Sequence, residues 1–343
     1  MKMNNKDLFK NFYNDLYKEI LDEYYLEIDN IHKKSKKSLT FTCVLFSIIP
    51  TILFWIIFFN KEYLIAFIII TIIYNISVIL FIKSSHKDDR NEILNQIKYK
   101  ILDDMITLIT NEQDSEIMPN NRISQTSFER TNLFNLNNVH YTGSNYIQTS
   151  LDSIPIVLGD MNIYTYVDVT KEEYFYIGSR RFKRTYKTKK KKDIFVGCYI
   201  GSNMNRKNDS LIQIVPKNIN NIINKKINNY YNFCPIELKL ENLDFSKRYS
   251  VYSNDEIKAR MVLTLTMMES INELENILDN KKYIIFKNDG RYSVFIENFT
   301  FENILNKYLS NKRNKNKEMD SIYNIYSDLS KLFEIVSILN NSK

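Results

Sequence analysis

The densest group of chemically active side chains in this sequence is a basic run over residues 180–192, RRFKRTYKTKKKK. Cationic groups at this density attract anionic lipid headgroups, at about 1 kcal/mol for each basic residue close to the bilayer, or the phosphates of RNA. The alternative is a hairpin tip that charge keeps soluble, and strand patterns on both sides predict such a tip. The candidate contact residues are Arg180, Arg181, Lys183, Arg184, Lys187, Lys189, Lys190, Lys191 and Lys192.

Two groups of carboxylates are the other candidates for chemistry. Asp168, Glu172 and Glu173 follow a strand pattern, and such acids recruit a divalent cation in hydrolases that act through a metal-bound water. Asp255 and Glu256 open a predicted helix, where capping and the helix dipole explain both acids without catalysis. Only the first group therefore supports an enzymatic hypothesis, and ordinary surface acids explain it equally well.

The sequence lacks the motifs of several common sites. Its six glycines never form GxGxxG or GxxxxGK[ST], the loops that wrap a nucleotide phosphate. Of its three histidines, only His140 lies in the region predicted to be soluble, so there is no HExxH motif and no histidine-rich metal cluster. The cysteines, Cys43, Cys198 and Cys234, are odd in number and far apart, which fits a reducing compartment better than a disulfide framework. We therefore expect no cofactor and no metal site.

Two uncharged blocks predict a transmembrane hairpin. Residues 39–59 and 64–82 are each long enough, at 1.5 Å per residue, for a hydrocarbon core of about 30 Å. Only residues 60–63 separate them, so the two helices are expected to be antiparallel neighbours. Basic flanks on the outer ends favour a cytoplasmic location for both termini, with the hairpin in the cytoplasmic (inner) membrane. These flanks are Lys33, Lys34, Lys36 and Lys37 before the first span, and Lys83, Lys87 and Arg90 after the second.

Amphipathic helices are expected on both sides of this hairpin. Apolar residues recur at steps of three and four over residues 9–31 and again over 94–108, which predicts two helices paired as a stalk of roughly 40 Å. The alternative, a helix lying flat on the lipid, is less favoured because the polar face of the first helix is rich in acids. The predicted organisation is an N-terminal amphipathic helix over 1–38, the hairpin over 39–82, a juxtamembrane helix over 83–112, a linker over 113–137, a cytoplasmic α+β domain over 138–310, and a basic linker with a C-terminal amphipathic helix over 311–343. The linker over 113–137 is expected to contain one short helix near residues 124–131.

The soluble region has the pattern of an antiparallel sheet followed by helices. Between residues 139 and 215 the apolar and β-branched residues form short runs, SIPIVLG, MNIYTYVDV, EYFYIGS, DIFVGCYIG and LIQIVP. A helix is expected over 217–230, and short strands over 236–240 and 249–252. Strands followed by helices are typical of the α+β class.

The C-terminal third carries clear boundary signals. Capping boxes at Ser253–Glu256 and Thr266–Glu269 predict a helix that breaks near Leu265. Asn288, Asp289 and Gly290 predict the turn of a hairpin. A final amphipathic helix is predicted because apolar residues recur at steps of three and four near the C-terminus. These residues are Ile322, Tyr326, Leu329, Phe333, Val336 and Leu339.

The segment DFSKRYSVYSNDEIKARMVLTLTMMESINEL, residues 244–274, resembles a recognisable stretch of the bacterial Domain of Unknown Function 3137 family. Further resemblances are an "IS...F" entry at Ile123, Ser124 and Phe128, a "YxGxxYI"-like strand over 141–147 and an "FxG" strand ending at Gly197. A paired transmembrane segment and a last helix are also typical of the family. This chain departs from the pattern at Asn145, where an acid is usual, at Met261, where Tyr or Phe is usual, and at Leu265, where Pro is usual. The resemblance implies a fold and a topology but no activity.

These features together predict a membrane-anchored cytoplasmic module that binds or scaffolds other molecules without catalysis. The alternative is a membrane-surface hydrolase that works through carboxylates and a recruited divalent cation. The expected partners are membrane lipids and a protein that the sequence does not identify, and nucleic acid is not expected to be one.

Overall fold

The structure is a computed structural model that describes residues 95–112, 115–203, 210–217, 231–278, 283–288, 290–308 and 315–341, with isolated positions between 22 and 92. The chain forms two units, residues 1–101 with 310–323 and residues 102–309 with 324–343. The sheet and the sites discussed below belong to the second unit.

The described elements are, in chain order, α1 (residues 95–110), β1 (Glu116–Met118), α2 (Gln125–Arg130), β2 (His140–Leu151), β3 (Ile154–Ile177), β4 (Arg180–Asn203), β5 (Ile212–Pro216), β6 (Ile236–Leu238), α3 (Leu243–Arg248), β7 (Tyr249–Ser253), α4 (Glu256–Val262), α5 (Leu265–Ile277), β8 (Tyr283–Asn288), β9 (Arg291–Glu297), α6 (Phe301–Tyr308) and α7 (Lys315–Asn341).

A nine-stranded sheet in the order β1-β2-β3-β4-β9-β8-β5-β7-β6 organises this unit. The strands pair antiparallel, which confirms the predicted α+β class and antiparallel sheet. The expected short strands are partly fused, because β3 and β4 are each 24 residues long. The polar residues that suggested breaks within β3 remain extended, since each has a cross-strand partner on β4.

One face of the central strands is covered by the segment between β1 and β2. Its core side chains are Ile123, Phe128, Leu133 and Phe134, all at most 2% exposed. The Phe134 ring lies 5.6 Å from the ring of Phe295 on β9. The segment 113–137 was expected to be a linker with one short helix near residues 124–131. That helix is confirmed as α2, and the described residues of the segment also contribute strand β1 and part of the core. Their apolar residues have neither a helical nor a strand period, so no pattern predicted this packing.

Helices cover the opposite face of the same strands. Every second side chain of a strand points to that face, so its apolar residues also need a covering layer. The Tyr292 hydroxyl donates a hydrogen bond of 3.0 Å to the carbonyl oxygen of Val336 on α7. The predicted stripe on this helix is confirmed, with Leu329, Phe333 and Leu339 buried.

The predicted helix break is confirmed, but the capping residues differ. Asp255 is the N-cap of α4, with its side chain accepting from the Lys258 N–H at 3.0 Å, whereas Ser253 accepts from the Asp255 N–H. Thr264, rather than Thr266, is the N-cap of α5 and accepts from the Met267 N–H at 3.2 Å. The predicted hairpin of β8 and β9 is also confirmed, with Gly290 at φ +69°.

Helix α1 has the predicted buried stripe, which includes Ile97, Ile101 and Met105. The helix predicted over 217–230 lies outside the described residues, except for Lys217, which is helical. The same holds for the transmembrane spans and the N-terminal helix, apart from isolated helical positions such as Ile52, Ile73 and Leu80. Among the residues that the structure does describe, no helix is both long and apolar enough to cross a membrane.

Candidate functional site

The basic run lies on a two-stranded extension of the sheet, which we call the ribbon and define as residues 165–192. The last residue of β3 that pairs with β2 is Tyr164, and β4 pairs with β9 only from Gly197 onwards. Between these limits, and among the residues that the structure describes, β3 and β4 pair only with each other, from Thr165–Lys192 to Ile177–Arg180. At 3.3 Å per residue, this ribbon is about 40 Å long.

The turn at the end of the ribbon is formed by Gly178 and Ser179. Gly178 has φ +62°, and a Cβ placed there would contact nothing within 4 Å. Glycine with positive φ at the first central position is the requirement of a type II′ turn, whose twist matches that of antiparallel strands. Local backbone chemistry therefore explains why the chain reverses here.

The ribbon carries the excess charge of the chain. Residues 165–192 include ten basic and three acidic side chains, a net charge of +7, and the formal net charge of the whole chain is also +7. The nine predicted contact residues extend along the outer half of β4 and are exposed. The expected basic tip is thus a basic strand, and alternation places its charges on both faces of the ribbon.

Two of the predicted contact residues make ion pairs at the surface. Lys183 Nζ lies 2.6 Å from Glu172 Oε1, and Lys191 Nζ lies 3.6 Å from Asp193 Oδ1. Hydrogen bonds from Lys183 and Tyr174 lower the pKa of Glu172. Lys191 also lies over the Tyr164 ring, at 4.1 Å. These contacts order the ribbon but contribute little to stability, because they are open to solvent.

Exposed aromatic side chains surround the turn. Tyr174, Phe175, Tyr176 and Phe182 are 46%, 44%, 68% and 41% exposed. The Phe175 and Phe182 rings stack with their centroids 5.6 Å apart. The Arg181 guanidinium lies 3.9 Å from the centre of the Tyr174 ring. The end of the ribbon therefore combines apolar area with positive charge.

The acids that suggested a hydrolase lie on the same ribbon. Asp168 is opposite Lys189, Glu172 opposite Thr185 and Glu173 opposite Arg184. Because side chains alternate along β3, Glu173 points to the other face from Asp168 and Glu172. Among the described residues, no group of three or more His, Cys, Asp or Glu side chains is placed to hold a metal ion.

The second acidic pair has the structural role that was expected. Asp255 caps α4, and Glu256 Oε1 accepts a 2.9 Å hydrogen bond from Arg260 one turn later. Capping and an i,i+4 ion pair thus account for both carboxylates.

Asp160 is a buried carboxylate that sequence reasoning missed. It is 6% exposed on β3 and accepts hydrogen bonds from Asn145 Nδ2 at 2.7 Å and from the backbone N–H groups of Phe301 and Glu302 at 2.8 and 3.2 Å. Burial raises the pKa of Asp160 to about 6, against the opposing effect of these hydrogen bonds. Asp160 therefore links β3 to the first turn of α6. The available signal was an acid within the apolar run IPIVLGDMNIY.

The described cysteines, Cys198 and Cys234, are free and buried. Burial raises the pKa of the Cys198 thiol well above its ordinary value and that of Cys234 to about 11. Thiols of this kind are poorly reactive, because the thiolate is the nucleophile.

A family model described as "Protein of unknown function (DUF3137)" matches residues 193–341. The matched region begins directly after the ribbon. No curated protein matches the sequence. A solved structure described as "crystal structure of the mycobacterial trehalose monomycolate transport factor A, TtfA" is similar over 57% of this chain and 74% of that chain, with 9% identity and a TM-score of 0.25. A similarity at this score supports no conclusion about function.

Proposed function

We propose that this chain, which carries a DUF3137 family domain over residues 193–341, is a membrane-anchored binding module whose ribbon contacts anionic lipid headgroups. The observation that carries the proposal is the charge of the ribbon, which equals the net charge of the whole chain. A concentration of positive charge on an exposed extension creates a local field that the remainder of the chain does not cancel.

The composition of the ribbon favours lipid as its partner. Basic residues near an anionic bilayer gain about 1 kcal/mol each, so several of them together give stable but salt-sensitive binding. Tyrosine and other aromatic residues are enriched at the depth of lipid headgroups, where an apolar ring and polar groups are both accommodated. Tyr174, Tyr176 and Phe182 beside Arg181 meet this description.

The length of the ribbon answers a physical objection. A rigid stalk of roughly 40 Å would hold charges far beyond the Debye length of about 8 Å, at which attraction to lipid is screened. A ribbon of about 40 Å is of the same length as the proposed stalk. An extension of this length is long enough to span that distance, so the proposal does not require the sheet itself to touch the bilayer.

Membrane anchoring is the second part of the proposal. It rests on the uncharged blocks over 39–59 and 64–82, and on their basic outer flanks. The helical positions described there include Ile52, Ile73 and Leu80, which are 53%, 59% and 61% exposed. Large aliphatic side chains exposed on a helix are compatible with contact with lipid tails.

A competing explanation is that the charges protect an exposed strand edge. Lysine is common on edge strands because its charge prevents pairing with other chains. On that explanation, removal of charge would cause aggregation and leave lipid binding unaffected.

A fluorophore at the turn tests the proposal. The Ser179→Cys variant of the full chain, with Cys43→Ser, would be labelled with an environment-sensitive dye and placed in nanodiscs of neutral or anionic lipid. Cys198 and Cys234 are buried and should not react. We expect a blue shift in anionic discs that high salt abolishes, and a smaller shift after Lys189, Lys190, Lys191 and Lys192 are changed to Ser.

The matched control changes four exposed lysines elsewhere in the unit to Ser, at Lys217, Lys239, Lys247 and Lys258, and should keep the full shift. An equal shift in neutral discs would contradict electrostatic attraction. A ribbon that binds RNA and gives no shift with lipid would identify nucleic acid as its partner and overturn the proposal.

A further inference from the structure

A cavity of about 470 Å³ lies where the central strands β3, β4 and β9 end, at the opposite end of β3 and β4 from the ribbon. It is bordered by the start of β3, the end of β4 and the start of β9, with α2 beside it. Its size is within the range of about 300–1,000 Å³ that is usual for small-molecule sites. No part of the lipid proposal uses this cavity.

The floor of the cavity is polar and buried. The hydroxyl groups of Tyr199 and Ser293 are 2.8 Å apart, and the two residues are 4% and 6% exposed. Gly201 keeps this floor open, because a Cβ there would lie 2.8 Å from the Tyr199 hydroxyl oxygen. A close approach of this kind explains glycine at a strand position where a larger residue would pack better.

The rim of the cavity is cationic. Arg130, in the last turn of α2, and Arg291, at the start of β9, both line it and are exposed. Among the described lining residues there is no Asp or Glu. Burial raises the pKa of Tyr199, and the hydrogen bond with Ser293 and the positive charge of Arg291 oppose that rise.

We propose that this cavity binds a small molecule through an anionic phosphate or carboxylate group, which Arg130 and Arg291 hold. Guanidinium groups match both anions with paired hydrogen bonds. The hydroxyl groups of Tyr199 and Ser293 lie deeper and contact the neutral, polar remainder of the ligand. The volume excludes a whole lipid but accepts a headgroup, so a soluble phosphate ester and a lipid headgroup share the required chemistry.

The test measures binding to the purified full chain in a neutral detergent by titration calorimetry. The probes are glycerol 3-phosphate, succinate, glycerol and a short-chain phosphatidic acid. We expect saturable binding of at least one anionic probe and none of glycerol. Arg291→Gln and Arg130→Gln should each weaken that binding about tenfold or more, since a charge-assisted hydrogen bond is lost. Binding of phosphatidic acid but not of glycerol 3-phosphate would identify a lipid headgroup as the ligand if Arg130→Gln or Arg291→Gln weakens it, because the ribbon would keep its own lipid binding in these variants. Binding of glycerol 3-phosphate but not of phosphatidic acid at the cavity would identify a soluble ester.

Arg248→Gln is the matched control, because Arg248 pairs with Glu275 away from the cavity and its loss should leave binding unchanged. Gly201→Ala should also reduce binding by narrowing the floor. Failure of every anionic probe to bind would overturn the proposal. Unchanged affinity in both Arg130→Gln and Arg291→Gln would do the same, and these exposed positions should not prevent folding.

Discussion

At the scale of single residues, the motifs that make this sequence recognisable have structural explanations. The glycine of the "FxG" strand, Gly197, has no space for a Cβ, which would overlap the carbonyl oxygen of Ile296 on β9. Ser124 caps α2, and Ile123 and Phe128 beside it are buried. These residues position the core.

Asp160 makes the stability of the fold depend on pH. Its folded-state pKa is about 6 and its ordinary value is 3.8, so the folded state binds the proton more tightly than the unfolded state. Asp160 should therefore lower the free energy of unfolding as the pH rises from about 4 to about 6, by on the order of 3 kcal/mol for a shift of about two units. Above that window, its contribution is constant.

The measurement is denaturation of the wild type and Asp160→Asn between pH 4 and pH 7. The difference between their free energies of unfolding should change across the window, because asparagine does not titrate. The Asp244→Asn variant, at a side chain that is 82% exposed, should show no comparable change. A difference for Asp160→Asn that stays constant with pH would contradict the prediction.

At the scale of elements, the junction of α4 and α5 explains a departure from the family pattern. The resemblance implies a proline where Leu265 stands, and Leu265 is the first residue of α5. Proline is favoured at this position because its fixed φ suits the helix and the missing N–H has no helical partner. Thr264 before it has φ −62° and ψ 162°, which a following proline accepts.

We therefore expect Leu265→Pro to leave stability unchanged or raise it by up to about 1 kcal/mol, because the unfolded chain loses conformational freedom. Met261→Pro is the matched control, since Met261 is also exposed, at 71%, but lies inside α4. That change should cost about 3 kcal/mol. Thermal unfolding of both variants checks the prediction, and equal destabilisation by the two prolines would refute it.

Elements with a regular period or an explicit boundary signal were predictable from the sequence. The stripe of α7 and the turn at Gly290 are examples, and the break before α5 was displaced by only one residue from Leu265. The short helix α2 within the segment 113–137 was predicted, but the burial of the segment's core residues was not, because these residues are held by the sheet face and not by a local pattern. The ribbon was expected to be the charged tip of a hairpin, because its charged residues lack the apolar alternation of a half-buried strand. Its length is seen only in the structure, where β3 and β4 pair as far as Ile177 and Arg180.

The candidate sites were predictable to different extents. The basic residues of the ribbon could be identified one by one, because they are close together in the sequence and carry the same charge. The cavity was not, because Arg130, Gly201 and Arg291 are distant in sequence and come together only through the pairing of β4 with β9 and the position of α2. Asp160 was missed for the same reason, as its partners lie on α6 and at a bulge of β2.

At the scale of the whole molecule, charge and hydropathy are divided between different segments. The ribbon accounts for the net charge of +7, so the remaining residues are balanced overall. The longest uncharged blocks lie between residues 39 and 82. This division suits a protein in which one segment provides an anchor and another provides an electrostatic contact.

The proposed anchor leads to a prediction about topology. Translocation across a membrane disfavours lysine and arginine in short flanking segments, so the more basic side of a hairpin remains in the cytoplasm. Lys33, Lys34, Lys36 and Lys37 precede the first block and Lys83, Lys87 and Arg90 follow the second, whereas Lys61 is the one basic residue between the blocks. Both ends of the chain should therefore lie on the cytoplasmic side.

A reporter that is fluorescent only in the cytoplasm should be active before Met1 and after Lys343, and a phosphatase that requires the periplasm should be inactive at both positions. The same phosphatase inserted after Lys61 should be active, which controls for its export. Phosphatase activity at one end alone would contradict the paired arrangement, because a single span places the two ends on opposite sides. Phosphatase activity at both ends would contradict the predicted orientation.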